Sequence, residues 1–311
     1  MTGPAPHVWR PAGVRWSDHG PALTWVAPGG APPRVSPLRL GGTPSFRVGA
    51  DRRCLGVRRG QRRIPCPDAA ELPPSAHGGQ CPACQALDRS SSVAADTVPD
   101  DPQPYRVYLA YHGTETIKVG ITAARRGIDR LLEQGALGSV FLAEGPLMAA
   151  RRAESVLRTG LGLPERVMSP AKRTARRAPE TAERRAERLS EVRRAALASA
   201  GWPESLSSTG EFPIVDHGPA YGLPDGGIHP SAEVAPLTPG VVVAGTIKHV
   251  IGSDVYLATP HGLVLLDGRL LEGWALGSAP AEAVTDAALH PVAVPEEDTG
   301  EQLFMDWGTA G

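Results

Sequence analysis

The chain has 311 residues, enough for two or three small domains. Its net charge of −1 at pH 7 excludes a global field that would draw it to nucleic acid, so any such contact must come from local patches. No apolar run approaches membrane-spanning length and no basic-then-apolar leader is seen; the expectation is a cytoplasmic protein, where thiols stay reduced and clustered cysteines favour metal over disulfide.

Glycine and proline concentrate outside a central stretch, which predicts much irregular structure there. Short apolar runs at 8–9, 14–16, 23–26, 38–40 and 46–48 are expected as strands of a structural β-layer. Four cysteines follow: Cys54, Cys66, and Cys81 with Cys84 in a CxxC turn. Such a turn puts two sulfurs on one ion, and zinc prefers tetrahedral thiolate. Cys54 and Cys66 are spaced widely but can reach the same ion from a hairpin, with Gly56, Gly60, Gly78 and Gly79 supplying turns. A redox CxxC or buried free cysteines is the other possibility, and His77 is a fallback ligand. Arg52, Arg53, Arg58, Arg59, Arg62 and Arg63 surround the first two cysteines. They read equally well as phosphate contacts or as a solvated arginine-rich hairpin.

Residues 90–104 read as a linker. The central stretch then opens with two strands, Tyr105–Tyr111 and residues 116–122. Val107 and Leu109 share a face with Ile117, Val119 and Ile121, which places Tyr108 and Lys118 together on the other. The expected register sets Val107 near Val119, Leu109 near Ile117 and Tyr108 across from Lys118. Thr122 is expected to cap a helix that Gly135 ends, with Arg126, Arg130 and Gln134 as its polar stripe. Residues 139–143 form a third strand, and a second helix runs from Pro146 to Gly160. Glu154 falls inside its apolar stripe, where a carboxylate is costly unless it meets a cation or a metal.

Beyond residue 161 the chain is charged. Residues 180–200 read as a solvated helix laced with ion pairs, and residues 172–177, without acidic partners, as the better phosphate contact. Residues 205–239 are loop-like. Runs at 241–250, 254–258 and 263–266 predict a small β-meander that packs on the N-terminal strands rather than standing alone. The tail from residue 282 is acidic.

Strand, hairpin, strand, helix, strand, helix resembles the GIY-YIG nuclease domain. Val107, Tyr108 and Leu109 stand at its first motif, and Lys118, Val119 and Gly120 at its second. Arg130 matches the arginine of its first helix, and Glu154 the metal-binding glutamate of a later one. Lys118 replaces a tyrosine, and Gln134 stands where many members have histidine. The chain also resembles an uncharacterised bacterial family with a four-cysteine segment, V-Y-L-A, K-V-G-I-T and R-x-x-x-Q-G-A. The resemblance implies an α+β protein with a central three-stranded antiparallel sheet (residues 99–200). An N-terminal β segment with a four-cysteine zinc site (1–98) and a C-terminal β-meander with an acidic tail (201–311) flank it. It further implies a metal-dependent nuclease on DNA or RNA, with Glu154 holding Mg²⁺, Arg130 clamping phosphate, and Tyr108 and Lys118 positioning water. A zinc-containing nucleic-acid-binding protein without cleavage, and a zinc-stabilised scaffold for protein partners, are the alternatives.

Overall fold

The computed structural model describes residues 8–27, 32–59, 62–90, 101–113, 116–164, 166–207 and 212–292. The Gly60 turn, most of the expected linker (91–100) and the end of the acidic tail (293–311) lie outside the described residues. Strands β1 (Arg10–Ser17), β2 (Gly20–Val26) and β3 (Arg34–Pro37) form an antiparallel meander. β1 buries Val14 and Trp16. The Trp16 indole donates to the Gly252 carbonyl at 2.9 Å, which fastens this layer to the C-terminal half. Residues 38–40 are in no strand. Next come β4 (Ser45–Arg52), a hairpin of β5 (Val57–Arg59) and β6 (Arg62–Ile64), and helix α1 (Pro82–Ser90).

The central sheet is built from β7 (Tyr105–Tyr111), β8 (Ile117–Ala123) and β9 (Gly138–Gly145), antiparallel with β7 in the middle. Its side-chain alternation is as expected, but the register is two residues off. Val107 pairs with Ile121, Leu109 with Val119, and Tyr108 with Gly120, while Lys118 faces Ala110. A Cβ at position 120 would strike the Tyr108 ring, so glycine is what lets the ring lie across β8. Thr122 is buried within β8 and caps nothing. The strand instead runs on to Ala123, and Ala124 N donates to the Pro104 carbonyl.

Two helices cover opposite faces of this sheet. The short α2 (Asp129–Glu133) sets Leu131 against Tyr108, Ala110 and Phe141. α3 (Leu147–Leu161) sets Leu147, Ala150, Ala153 and Leu157 into the core that holds Val107, Leu109 and Val119. α4 (Ser169–Ala175) and α5 (Ala182–Leu197) follow, α5 capped by Thr181, whose hydroxyl accepts from Arg184 N at 3.3 Å. The solvated side of α5 carries the expected ion pairs, Arg184–Glu187 and Arg188–Glu191. On its buried side Arg185 meets Asp216 at 2.6 Å.

Strand β10 (Val215–Asp216) adds a fourth, edge strand beside β9, ahead of the short helix α6 (Gly218–Tyr221). His217, between them, is buried with its Nε2 2.9 Å from the Ser139 hydroxyl. Burial pulls its pKa down to about 4. Between pH 6.5 and 4 the unfolded chain therefore binds a proton that the folded chain refuses. Stability should be complete above pH 6.5 and fall towards pH 4, by on the order of 3 kcal/mol at the acid end. His217→Gln should flatten that part of the melting-temperature profile; an unchanged acid slope in the variant would contradict the assignment.

The C-terminal half contains β11 (Ala232–Val234), β12 (Val242–Ala244), β13 (Thr246–Ile251), β14 (Asp254–Thr259), β15 (Gly262–Asp267), β16 (Trp274–Ser278) and β17 (Leu289–Pro291). β13, β14 and β15 form the expected meander, extended by β11 and β17 into five strands. β12 and β16 leave this sheet and flank β4. N- and C-terminal strands thus share one sheet, and the meander does not stand alone. No helix among the described residues is long and apolar enough to cross a membrane.

Residues 172–177 do have acidic partners, on Arg173 and Arg176. Arg173 meets Asp254 at 2.7 Å, Asp267 at 3.0 Å and Glu233 at 3.0 Å, and Arg176 meets Asp254 at 2.5 Å. Sequence-local reading missed these partners because all of them lie on strands β11, β14 and β15, at least 60 residues away.

Candidate functional site

Cys54 follows β4, Cys66 follows β6, and Cys81 and Cys84 lie at the start of α1. The four sulfurs all fall within 4.8 Å of one another, and Cys66 and Cys81 are 4.0 Å apart. Tetrahedral zinc, with Zn–S of about 2.3 Å, needs sulfurs about 3.8 Å apart. The amides of Gly56 and Cys81 donate to the Cys54 sulfur at 3.4 and 3.2 Å, an arrangement that favours thiolate. The Cys84 backbone holds the Cys81 thiol below its ordinary range, whereas burial raises that of Cys54. Gly56 has φ +75°, and a Cβ there would overlap the Ile64 carbonyl and the Cys66 amide. Val57 and Leu72 close the site from water. His77 is exposed and lies outside the group. The four buried cysteines could therefore hold a metal ion such as zinc.

The arginines around the cysteines divide into two kinds. Arg52 is 1% exposed and gives its guanidinium to backbone carbonyls, among them Pro74 and Ala76 at 3.0 Å and Glu272 at 2.9 Å. It holds the loop that leads to Cys81 and is not a phosphate contact. Arg53 is paired with Asp51, and Arg59 with Asp88. Arg63 donates to the Leu55 carbonyl at 3.3 Å, and both Arg58 and Arg63 feel the charges of the core. Arg58 is pulled down to about 10 by partial desolvation and by the nearby charges of Arg15 and Arg126. Desolvation and Arg15 lower Arg63 as well, against the pull of Glu272. Arginines of the cysteine segment, of β1 and of the turn before α2 thus form one cationic cluster.

On the core, Tyr108 and Lys118 share a sheet face, with the ammonium 5.9 Å from the ring centroid. Tyr108 is 2% exposed, and its hydroxyl accepts from the Gln134 amide at 2.9 Å. Gln134 lies one helical turn beyond Arg130, whose side chain is 44% exposed and 3.8 Å from Glu133. Tyr108 thus touches both Lys118 and Gln134, and the Gln134 amide also reaches the Arg130 carbonyl. Glu154 is carried by α3, the helix that covers the Val107 and Leu109 face.

Arg130 and Gln134 also line a cleft of about 260 Å³ between α2, α4, β1 and the turn joining β13 to β14. Lys172 opens into it and donates to the Gln134 carbonyl at 2.7 Å. Burial, reinforced by Arg176, Lys118 and Arg130, pulls the Lys172 ammonium down to about 8. Behind it His112 is 2% exposed. Burial, then Lys172 and Lys118, keeps that imidazole neutral. The sequence reading missed Arg15, His112 and Arg269 at this place. Lys172 carried a signal, as one of three lysines in an arginine-rich chain.

A family model described as protein of unknown function (DUF2797) matches residues 76–276, from the CxxC turn to β16. No curated protein and no solved structure matches the chain.

Proposed function

The chain belongs to a family of proteins of unknown function (DUF2797), and we propose that it binds nucleic acid through the phosphate backbone, using a cationic surface shared by its cysteine segment and its GIY-YIG-like core. The observation that carries this is that Arg15, Arg58, Arg63 and Arg126 gather in one place, where desolvation and the nearby positive charge lower Arg58 and Arg63. Like charges held together are costly unless a polyanion relieves them. Zinc is the metal we assign to the cysteines, because four sulfurs without an oxygen suit it and not a hard ion. Bound there, it would fix the hairpin that presents Arg58 and Arg63.

Hydrolysis is the second reading. It is favoured by the contact of Tyr108 with Gln134 and by the open guanidinium of Arg130. Mg²⁺ on Glu154 would supply Lewis acidity. Binding without cleavage is better supported, because Tyr108 is buried beneath Gln134 and Glu154 rides on the helix covering the other face.

One experiment addresses both. Single-stranded, duplex and branched DNA and RNA are titrated with the zinc-loaded protein over a range of salt. Binding should weaken steeply with salt, and Arg58→Gln and Arg63→Gln should each lower the logarithmic slope by about 1, with the melting temperature unchanged in the variant of the exposed Arg58. Absence of binding at low salt would end the proposal. Mg²⁺- or Mn²⁺-dependent cleavage that Glu154→Gln abolishes, with binding retained, would put the nuclease reading in its place.

A further inference from the structure

We infer that the cleft between α2, α4, β1 and the β13–β14 turn receives a phosphate monoester dianion, the group found at a nucleic-acid end or on a free nucleotide. Where that group sits on a nucleic acid, the inference rests on the reading above; where it sits on a free nucleotide, it does not.

Charge is the first ground. Five cations line the cleft, Arg15, Arg130, Lys172, Arg176 and Arg269, against the carboxylates Glu133, Asp254 and Glu272. Two positive charges are in excess. Widening the count to the ion-paired shell adds Arg126 and Arg173 with Asp267 and Glu233, and the excess is the same. The carboxylates are also already engaged. Arg126 reaches Glu133 at 2.5 Å, with Arg15 on the same oxygen at 3.5 Å. Asp254 holds Arg173 and Arg176, and Glu272 accepts from the Gly79 amide at 2.8 Å. A phosphate monoester near neutral pH carries close to two negative charges, whereas a diester carries one.

Unspent donors are the second ground. Arg176 is buried and uses Nη1 for Asp254 and Tyr256, while its Nε has no partner. Buried guanidinium nitrogens without acceptors are costly and uncommon. Lys172 has three donor hydrogens and one acceptor, the Gln134 carbonyl. Arg130 is tethered only loosely, at 3.8 Å from Glu133. Lys172 and Arg130 both line the cleft with donors to spare, which an acceptor with several oxygens would meet. The third ground is size. At about 260 Å³ the space is smaller than sites for drug-sized ligands, which begin at roughly 300 Å³. It suits a phosphate group with little else attached.

The test compares oligonucleotides carrying a 5′- or 3′-phosphate with their hydroxyl-ended twins, alongside adenosine monophosphate and inorganic phosphate, on the full-length zinc-loaded protein. Phosphorylated ends should bind roughly ten- to a hundredfold more tightly than their twins, the range for charge-assisted hydrogen bonds. Inorganic phosphate should abolish that ratio. Arg130→Gln and Lys172→Gln should each bring the ratio close to one; Arg130 is half-exposed, so its variant tests binding without risk to folding. Equal binding of the twins, unaffected by phosphate, would overturn the inference and leave the nucleic-acid reading standing. Binding of the mononucleotide with no oligonucleotide bound would do the reverse. No binding of any probe would overturn both.

Discussion

Stripping the metal from the cysteine centre, or Cys81→Ser, is expected to unfold residues 54–90 while the central sheet persists. Beyond the buried Leu55 and some backbone hydrogen bonds, little apolar packing holds this segment. Its apolar cluster consists of the four cysteines with Val57 and Leu72, and its hairpin strands are three residues each. A cluster of that size cannot offset the ordering entropy of more than thirty residues. A structural zinc contributes on the order of 10–16 kcal/mol to a small domain of this kind. Two contacts carry the loss outward. Arg52 surrenders the carbonyls of Pro74 and Ala76, and the Glu272 carboxylate surrenders the Gly79 amide. Arg58 and Arg63 lose their fixed positions, so nucleic-acid affinity should fall with the metal. Hydrogen exchange should show residues 54–90 deprotected and β7–β9 unchanged. Metal analysis should give about one zinc per chain. Equal protection of the segment with and without chelator would refute a structural metal.

The legible and illegible parts of this chain divide along a physical line. The gathering of the four cysteines could be read because thiol pairs at CxxC spacing are uncommon and their chemistry is narrow. That Tyr108 and Lys118 share a face followed from the period of two in β7 and β8. The same period is blind to a slip of two residues, so the register was set by something else, the space Gly120 leaves for the Tyr108 ring. Thr122 looked like a cap because its residue type favours one, yet strand pairing outlasted it. The cleft was not legible. Its walls come from β1, α2, α4 and the β13–β14 turn, and no local pattern encodes their meeting. Nor was the pairing of β4 with β12 and β16, about 190 and 220 residues further on. The prolines at 73 and 74 offered a faint hint of Arg52's role. A loop poor in backbone donors leaves carbonyls that something else must satisfy.

Asp254→Asn is expected to cost about 3–5 kcal/mol and to loosen α4 from the C-terminal sheet. Asp254 is 4% exposed and accepts from two arginines, Arg173 at 2.7 Å and Arg176 at 2.5 Å. Those guanidiniums hold its carboxyl below the ordinary carboxylate range despite burial, which acts the other way. The pair is thus charged at neutral pH. An amide of nearly the same shape keeps one acceptor and loses the charge. Arg173 still has Asp267 and Glu233, but Arg176 has no other carboxylate among the described residues, and its side chain is 3% exposed. Breaking one partner of a buried pair is costlier than removing both, so Arg176→Met together with Asp254→Leu should lose less than the two single changes summed. The sign with pH follows from the depressed carboxyl. Its contribution is complete above the unfolded value near 4 and disappears as acid protonates the folded form. Lys172 and Arg176 belong to α4 and its C-cap and reach the cleft only while this anchor holds. The phosphate-end preference should therefore vanish in Asp254→Asn, even at temperatures where the central sheet is intact. Urea melts of the single and double variants measure the first claim, and binding below the melting midpoint measures the second. Strict additivity of the two changes would show that Arg176 and Asp254 do not act as a pair.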